Sequence, residues 1–310
     1  MRLNAMQNDR RTMRRISAWR RAAQLLSVAA LLLASASAQA AQITWAGCGI
    51  TKNGITKALA TAYERKTGVT IEVRGGGALK GLRDARAGRV DVAGSCRYAL
   101  PVPQEAGANM IPVAWDGLVM ITARDNPVTG LTSQQTRDVF EGRITNWKAL
   151  GGRDERIALF TRRGKLSGVG HMFRVMFFRN PYQEYPTAEE APRSSGLIEM
   201  LVGKGSGGFG LSGASSAHKR PEVKMLSLDG VYPSQDNIAS GRYYLIRPLY
   251  YVLSDSASPQ TQGFIDFALS AEGQAIVEAE GVVSLAQGRG LTKLFKERFG
   301  AQYLAAPLRD

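Results

Sequence analysis

Cysteine and histidine are scarce in this chain, which contains two of each among 310 residues. Two cysteines cannot supply a four-cysteine zinc site or a cysteine-ligated iron–sulfur cluster. The only histidines, His171 and His218, leave few bases that could activate a nucleophile. The G-x-S-x-G motif of serine hydrolases is missing around Ser167, Ser206 and Ser212. We therefore expect no enzymatic activity, no metal site and no cofactor.

Acidic residues are also few, because 26 Asp+Glu stand against 40 Lys+Arg and give a net charge of +14. Such a charge would ordinarily suggest nucleic acid as a partner. Much of it, however, lies in residues 1–40, which combine an arginine-rich start, an apolar run over 22–34 and the small-residue sequence Ala38-Gln39-Ala40. This pattern predicts a signal peptide cleaved before Ala41, and its removal lowers the net charge to about +8. We expect a protein of an extracytoplasmic space that does not bind nucleic acid. An uncleaved anchor is the alternative, although its run is shorter than the roughly 20 residues of a span.

Strand, turn and helix patterns alternate along the start of the mature chain. Residues 42–46 predict a strand, GCGITKNG a glycine-rich turn, and the apolar positions between 55 and 63 one face of a helix. VTIEV predicts a second strand, RGGGALKG a second turn before a short helix at 82–87, and VDVAG a third strand. This alternation predicts an α/β fold with a parallel sheet, whose loops gather at the carboxyl ends of the strands and bind ligands there.

Two long extended segments suggest that the mature chain forms two lobes. They are IPVAWDGLVMITARDNP and GRYYLIRPLYYVLS. A capping box at Thr132 and Gln135 predicts a helix start after the first segment, and FIDFALSAEGQAIVEAEG predicts a helix after the second. We predict a first lobe from residues 41–117, a second lobe from 118–247 and a return to the first lobe over 248–310, with a hinge between the lobes.

The segment FTRRGKLSGVGHMFRVMFFRN carries five basic residues and no acidic residue. It leads from a predicted strand at 157–161 into a helix that starts at SGVG. Unpaired N–H groups and the positive end of the helix dipole attract anions at such a start, and an arginine adds a planar fork suited to an oxyanion. The segment therefore predicts an anion site, and the alternative is a basic turn on a solvated surface.

Several strings of the sequence carry a family resemblance in their order and spacing. The mature chain resembles the phosphate-binding periplasmic proteins of phosphate ABC transporters over nearly all of residues 42–285. The resemblance implies a two-lobe type II periplasmic binding protein, or Venus flytrap, that binds an oxyanion in its cleft and works with a permease in the inner membrane. The matching strings are GCGIT, RGGGALKGL, VDVAGSCR, PVAWDGLVM, LTSQQTRDVFEGRITNWKALGG, RRGKLSG, GGFG and RPLYYV with ALSAEGQAIV.

The resemblance also implies which residues bind the ligand. Arg163 occupies the position of the ligand-binding arginine of the family, four residues before its Ser-Gly-Thr turn, in which Val169 replaces the threonine. Cys96 occupies a position where phosphate-specific members often have an aspartate that accepts the proton of hydrogen phosphate, a task for which a thiol is poorly suited. The implied ligand residues are Thr51, Gly77, Ala78, Leu79, Cys96, Arg163, Ser167, Gly168 and Val169.

These departures leave the identity of the ligand open. We expect a monomer that captures phosphate. Sulfate, molybdate or tungstate are alternative ligands, and an interaction or signalling module that has lost the transport ligand is the alternative function. In a type II fold the first and third strands are neighbours, which brings Cys48 and Cys96 within the Cα separation of about 4.4 to 6.8 Å that a disulfide needs. We expect a disulfide between them, with two buried free thiols as the alternative.

Overall fold

The computed structural model describes residues 42–162, 164–191 and 194–304. The predicted signal peptide at residues 1–40 and the predicted ligand residue Arg163 lie outside these ranges. The described residues between Gln42 and Leu304 form one unit around a large mixed sheet. No helix of this described part is long and apolar enough to cross a membrane.

The described strands form a nine-stranded sheet and a small two-stranded one. The order of the large sheet is β2-β1-β3-β11-β4-β8-β6-β7, with β9 paired to β4 as well, and β5 pairs with β10. The strands are β1 Gln42–Gly47, β2 Thr70–Gly75, β3 Val92–Ser95, β4 Asn109–Ala123, β5 Gly130–Leu131, β6 Ala158–Arg162, β7 Glu189–Ala191, β8 Gly208–Gly213, β9 Val223–Met225, β10 Ser227–Leu228 and β11 Ile246–Leu253.

Helices connect most of these strands. The described α-helices are α1 Gly49–Thr51, α2 Lys57–Thr67, α3 Ala78–Arg86, α4 Ser133–Phe140, α5 Gly168–Phe173, α6 Ser195–Gly203, α7 Ala214–Ala217, α8 Gln235–Ala239, α9 Pro259–Leu269, α10 Ala271–Ala279 and α11 Leu291–Phe299. A π-helical turn at Lys52–Thr56 joins α1 to α2, and another at Arg174–Phe178 extends α5. The 3₁₀ turns are Trp147–Leu150 and Ala301–Tyr303.

Strand β4 joins two halves of the large sheet. Its first part pairs with β11 as far as Gly117, and its second part pairs with β8 from Leu118 onward. We call β2, β1, β3, β11 and β4 up to Gly117 the first half-sheet, and β4 from Leu118 with β8, β6, β7 and β9 the second half-sheet. The parallel pairing predicted for the start of the mature chain is confirmed for β1 with β2 and β3. Strand β6 is also parallel to β7 and β8. The long strands β4 and β11 run antiparallel to each other, and they are antiparallel to β8 and β3 respectively.

Several helix boundaries differ from the sequence-based predictions. Helix α3 starts at Ala78, inside the predicted turn RGGGALKG, and not at residue 82. The predicted glycine-rich turn GCGITKNG is wrong beyond Cys48, because the helix already starts at Gly49. Glycine at position 54 suits this helical segment because a Cβ there would lie only 2.9 Å from Ser215 Cβ. The single predicted helix near residues 264–281 is two helices, because Ser270 ends α9 and caps α10 with an Oγ that accepts the Gly273 N–H at 3.2 Å. The predicted capping box of Thr132 and Gln135 is confirmed.

The core lies on both faces of the central strands. All eight residues of β11 are buried, as expected for a strand covered by helices on both faces. Trp45 and Tyr251 meet edge-on in the first half-sheet, with ring centroids 6.3 Å apart. Phe140 and Phe209 pack at 5.6 Å in the second. These rings hold the strands in place, so the loops at the strand ends are anchored on a rigid frame.

Candidate functional site

A cavity of about 250 Å³ lies at the carboxyl ends of β1, β2 and β6. It therefore occupies the edge of the sheet at which the sequence predicts ligand binding. Loops of both half-sheets contribute to its wall. The residues that line it are Cys48, Gly76, Gly77, Ala78, Leu79, Lys80, Arg162, Gly164, Lys165, Leu166, Ser167, Gly168 and Ser195.

Three helices begin at this cavity. Gly77 caps α3, Ser167 caps α5, and Ser195 is the first residue of α6. The first N–H groups of an α-helix have no partner within the helix, and the helix dipole makes its start positive. Gly77 has φ +84°, a left-handed conformation that glycine adopts without strain. The Ser167 Oγ is buried without a hydrogen-bond partner among the described residues. The cavity thus presents several unused donors to an anion.

Arg162 adds a positive charge to the same wall. Its guanidinium lies over Gly77, where a Cβ would be 3.4 Å from Nη2. Its Nε is buried and has no hydrogen-bond partner among the described residues. Burial lowers the pKa of Arg162, and negative charge on Cys48 or Cys96 would oppose that shift. A buried cation with an unused donor is suited to an anionic ligand.

The two lysines of the wall are less free than Arg162. Lys80 forms an ion pair with Asp84, and Lys165 forms one with Glu184. Their carboxylate partners do not line the cavity. The charge of both lysines is thereby partly neutralised, and Arg162 is the cation of the wall that the described contacts leave unpaired.

The expected disulfide is not formed in the structure, in which Cys48 and Cys96 are buried free thiols with their Sγ atoms 2.6 Å apart. Burial alone would raise the pKa of Cys48, but its contact with Cys96 and the charge of Arg247 lower it to about 7. The backbone N–H groups of Ile50 and Thr51, at the start of α1, act in the same direction. Burial and the neighbouring Cys48 raise the pKa of Cys96 well above its ordinary value. Cys48 is therefore the thiol that ionises first.

Behind the cysteines, Arg247 is itself fully buried. Its Nη2 donates to Asp116 Oδ2 at 3.2 Å, and its Nη1 donates to the Cys96 carbonyl at 3.3 Å. The other oxygen of Asp116 accepts the Ser215 N–H at 2.9 Å. The Asp116 carboxylate thus holds Arg247 in place beneath the cysteine pair.

The structure brings together five of the ligand residues implied by the sequence. Gly77, Ala78, Leu79, Ser167 and Gly168 all line the cavity. The other described candidates lie behind its wall: Thr51 is buried with its Oγ1 donating to the Ser95 carbonyl at 3.4 Å, and Cys96 and Val169 are buried without lining the cavity. The role of Arg163 stays a prediction, because that residue lies outside the described ranges.

Sequence reasoning missed Arg162, Cys48 and Ser195 as residues of the cavity wall. A signal for Arg162 was present, because Leu159 and Thr161 are the buried positions of β6 and alternation sets Arg162 on the opposite face. Ser195 follows a capping serine, Ser194, whose Oγ accepts the Leu197 N–H at 3.3 Å. The Ser-Ser-Gly sequence could have predicted this helix start, but its position at the cavity depends on long-range packing.

A set of buried polar contacts joins the two half-sheets beside the cavity. Arg97, which follows β3, donates from Nε to the Leu166 carbonyl at 3.1 Å. Its other nitrogens form a two-pronged pair with Glu105, at 2.7 and 2.8 Å. Next to this pair, the Tyr98 hydroxyl lies 2.7 Å from His171 Nε2 on α5. We call these contacts of Arg97 and Tyr98 with Leu166 and His171 the latch.

Comparison with known proteins identifies relatives with the same architecture. Residues 34–272 match the family model described as PBP superfamily domain. The chain is similar to the phosphate-binding protein PstS of Bacillus subtilis, with 27% identity over 224 residues, 71% of this chain and 73% of that protein. A phosphate ABC transporter substrate-binding protein with bound phosphate from Clostridium perfringens superposes with a TM-score of 0.70 and 28% identity, covering 79% of this chain and 99% of that one. For an ABC-type phosphate transport receptor from Vibrio cholerae, the TM-score is 0.57 and the identity 30%, over 78% and 99% of the two chains.

Proposed function

Because the chain belongs to the PBP superfamily, we propose that it is a periplasmic solute-binding protein that captures a small oxyanion, phosphate in the first place, for an ABC transporter. Its mixed α/β fold is that of the two-lobe type II periplasmic binding proteins. The observation that carries the proposal is the cavity itself, in which three helix starts converge with Arg162, whose Nε has no hydrogen-bond partner among the described residues. Phosphate is named first because similar proteins are phosphate-binding proteins.

The strand pairing of β4 supports the proposed division into two lobes. The change of partner between Gly117 and Leu118 supports a first lobe of residues 41–117 and a second lobe that begins at 118. Strand β11 returns to the first half-sheet, which supports a return of the chain near residue 248. The cavity lies between loops of both halves, so ligand binding would draw them together.

The wall predicts weak discrimination among oxyanions. Among the described residues that line the cavity there is no aspartate or glutamate. The proton of hydrogen phosphate therefore has no carboxylate to accept it there, and a fully deprotonated anion meets no carboxylate that would repel it. We propose that sulfate, molybdate and tungstate compete with phosphate for the same donors.

A second candidate function is an interaction or signalling module that has kept the fold. Three observations favour it: the Thr51 hydroxyl donates to the Ser95 carbonyl, Val169 supplies no hydroxyl, and both lysines of the wall are ion-paired. Each of them removes a donor from the ligand. A module of this kind would bind no oxyanion at concentrations below the millimolar range.

Calorimetric titration of the mature chain, residues 41–310, with phosphate, sulfate, molybdate and tungstate tests the proposal. We expect saturable binding of one oxyanion per chain, and competition between phosphate and sulfate. A strong preference for phosphate would contradict the proposed lack of discrimination. Absence of saturable binding by all four anions would overturn the transport function in favour of the interaction module. Gel filtration with light scattering checks the expected monomer.

A further inference from the structure

Cys48 lies at the cavity, at the start of a helix and beside a second thiol. Its side chain lines the cavity, and the residue caps α1. Its Sγ lies 2.6 Å from the Sγ of Cys96, which is fully buried. One sulfur of the pair is therefore reachable through the cavity, while the other is close enough to bond to it.

The groups around Cys48 are those that would receive an anion. The N–H groups of Ile50 and Thr51 point to its sulfur, and Arg162 and Arg247 contribute positive charge from β6 and β11. Asp116 on β4 contributes negative charge near Cys96, and it is paired with Arg247. A thiolate at Cys48 thus occupies the positive field into which the cavity would draw an oxyanion.

We propose that Cys48 and Cys96 form a reversible dithiol–disulfide couple whose redox state sets the affinity of the cavity for oxyanions. The part that concerns affinity rests on the oxyanion-binding function proposed above. In the dithiol form, a negative Cys48 sulfur repels the anionic ligand and partly neutralises the positive charge of Arg162. In the disulfide form, both sulfurs are neutral and Arg162 is left for the ligand, so oxidation strengthens binding.

The chemistry of the couple requires an external disulfide, either a small molecule such as oxidised glutathione or a protein disulfide. The Cys48 thiolate attacks one sulfur of that disulfide, and the first external thiolate leaves and takes up a proton. Cys96 then loses its proton and attacks Cys48 Sγ, and the second external thiol leaves with that proton. One S–S bond forms in the chain and one breaks outside it, so two electrons pass to the external disulfide.

The ionisation of Cys48 gives the effect a dependence on pH. Cys48 has a pKa of about 7, so its sulfur is mostly negative near pH 8.5 and mostly neutral near pH 5.5. Of the charged groups around it, Arg162 and Arg247 keep their charge over this range. The Asp116 carboxylate lies 3.2 Å from Arg247 Nη2. The difference in affinity between the two redox forms is therefore large at the higher pH and small at the lower.

The experiment measures sulfate affinity, because sulfate does not titrate in this range. The mature chain is prepared with excess dithiothreitol, or with oxidised glutathione that is then removed, and mass spectrometry after alkylation counts its thiols. We expect the disulfide form to bind sulfate about tenfold more tightly than the dithiol form at pH 8.5. At pH 5.5 the two forms should differ by less than about twofold.

Cys48→Ser is the matched variant, because serine stays neutral at both pH values. We expect it to bind sulfate as the disulfide form does, whatever the redox conditions, and circular dichroism checks that it folds. Two free thiols after treatment with oxidised glutathione, or equal affinity of the two wild-type forms at pH 8.5, would overturn the redox couple while leaving oxyanion binding intact. If neither wild-type form nor Cys48→Ser binds any of the four oxyanions, the proposed function itself fails and the control of affinity fails with it.

Discussion

At the scale of single residues, Arg162 is the side chain on which the proposed site depends most. We expect Arg162→Gln to weaken oxyanion binding by about tenfold or more, because a charge-assisted hydrogen bond of about 1.5 to 3 kcal/mol is lost. Calorimetric titration measures the change. Arg156→Gln is the control, since Arg156 precedes the same strand but is paired with Glu189 at 3.1 Å outside the cavity. Equal losses from the two variants would show that general charge, and not a site, attracts the anion.

The neighbouring Arg163 shows the limit of what the sequence predicts about single ligand residues. Its spacing to Ser167 assigns the ligand arginine by resemblance, whereas the alternation of β6 points to Arg162 as a residue of the cavity wall. Because side chains alternate along a strand, a shift of one residue in register decides which arginine a spacing argument selects. Arg163→Gln, measured beside Arg162→Gln, decides which of the two contributes more.

Ser167 in the cavity wall and Ser194, which precedes the wall residue Ser195, have different expected roles. The Ser167 Oγ has no partner among the described residues, so we expect Ser167→Ala to weaken oxyanion binding several-fold with little effect on stability. The Ser194 Oγ accepts the Leu197 N–H and caps α6, so Ser194→Ala should lower the free energy of unfolding by about 1 kcal/mol and change affinity little. Titration and urea unfolding of both variants measure these effects. A stability loss at Ser167 equal to that at Ser194 would contradict a ligand role for Ser167.

At the scale of elements, periodicity predicts most of the helices and strands. Strand β1, the apolar face of α2 and the capping box of α4 are all visible in the sequence, because each depends on residues within one or two turns. The start of α1 is not visible, since Gly49 and Gly54 disfavour a helix locally and the contact with Ser215 makes glycine suitable. Tertiary packing likewise decides that α3, α5 and α6 begin at one cavity.

Helix α5 carries a pH-sensitive contact of the latch. Burial, reinforced by the charge of Arg97, lowers the pKa of His171 from 6.5 to about 4, so the folded protein holds this histidine neutral against Tyr98. The unfolded chain binds the proton at about pH 6.5, hence stability is full above that pH and falls as the pH drops towards 4. The loss attributable to His171 approaches about 3 kcal/mol at the lower end.

Urea unfolding of wild type and His171→Gln at several pH values tests this contact. Glutamine can keep a hydrogen bond to Tyr98 but does not titrate. We expect the free energy of unfolding of wild type to fall more steeply between pH 6.5 and 4 than that of the variant. Parallel curves for the two proteins would show that other groups cause the acid sensitivity.

At the scale of the whole molecule, the latch and the cavity both lie where loops of the two half-sheets meet. Arg97 and Tyr98 follow β3 of the first half-sheet, while Leu166 and His171 follow β6 of the second. Separation of the halves would expose the buried ends of these contacts to water. Strand β4 belongs to both half-sheets, and β11 is its neighbour in the first half-sheet. Any separation of the two halves would therefore bend the chain at these strands.

Hinge closure on the ligand is the prediction that belongs to this scale. Domain closure around a ligand is the usual response of periplasmic binding proteins, and here it would bring Arg162 and Ser167 against an anion held by the start of α3. Small-angle scattering should show a smaller radius of gyration at saturating phosphate or sulfate than without ligand. Tyr98→Phe removes the hydrogen bond to His171, so it should enlarge the ligand-free radius and weaken oxyanion binding together. An unchanged radius at saturation, with calorimetric binding demonstrated in the same sample, would mean that the ligand enters a molecule already closed, because an open lobe pair cannot bury an anion without moving.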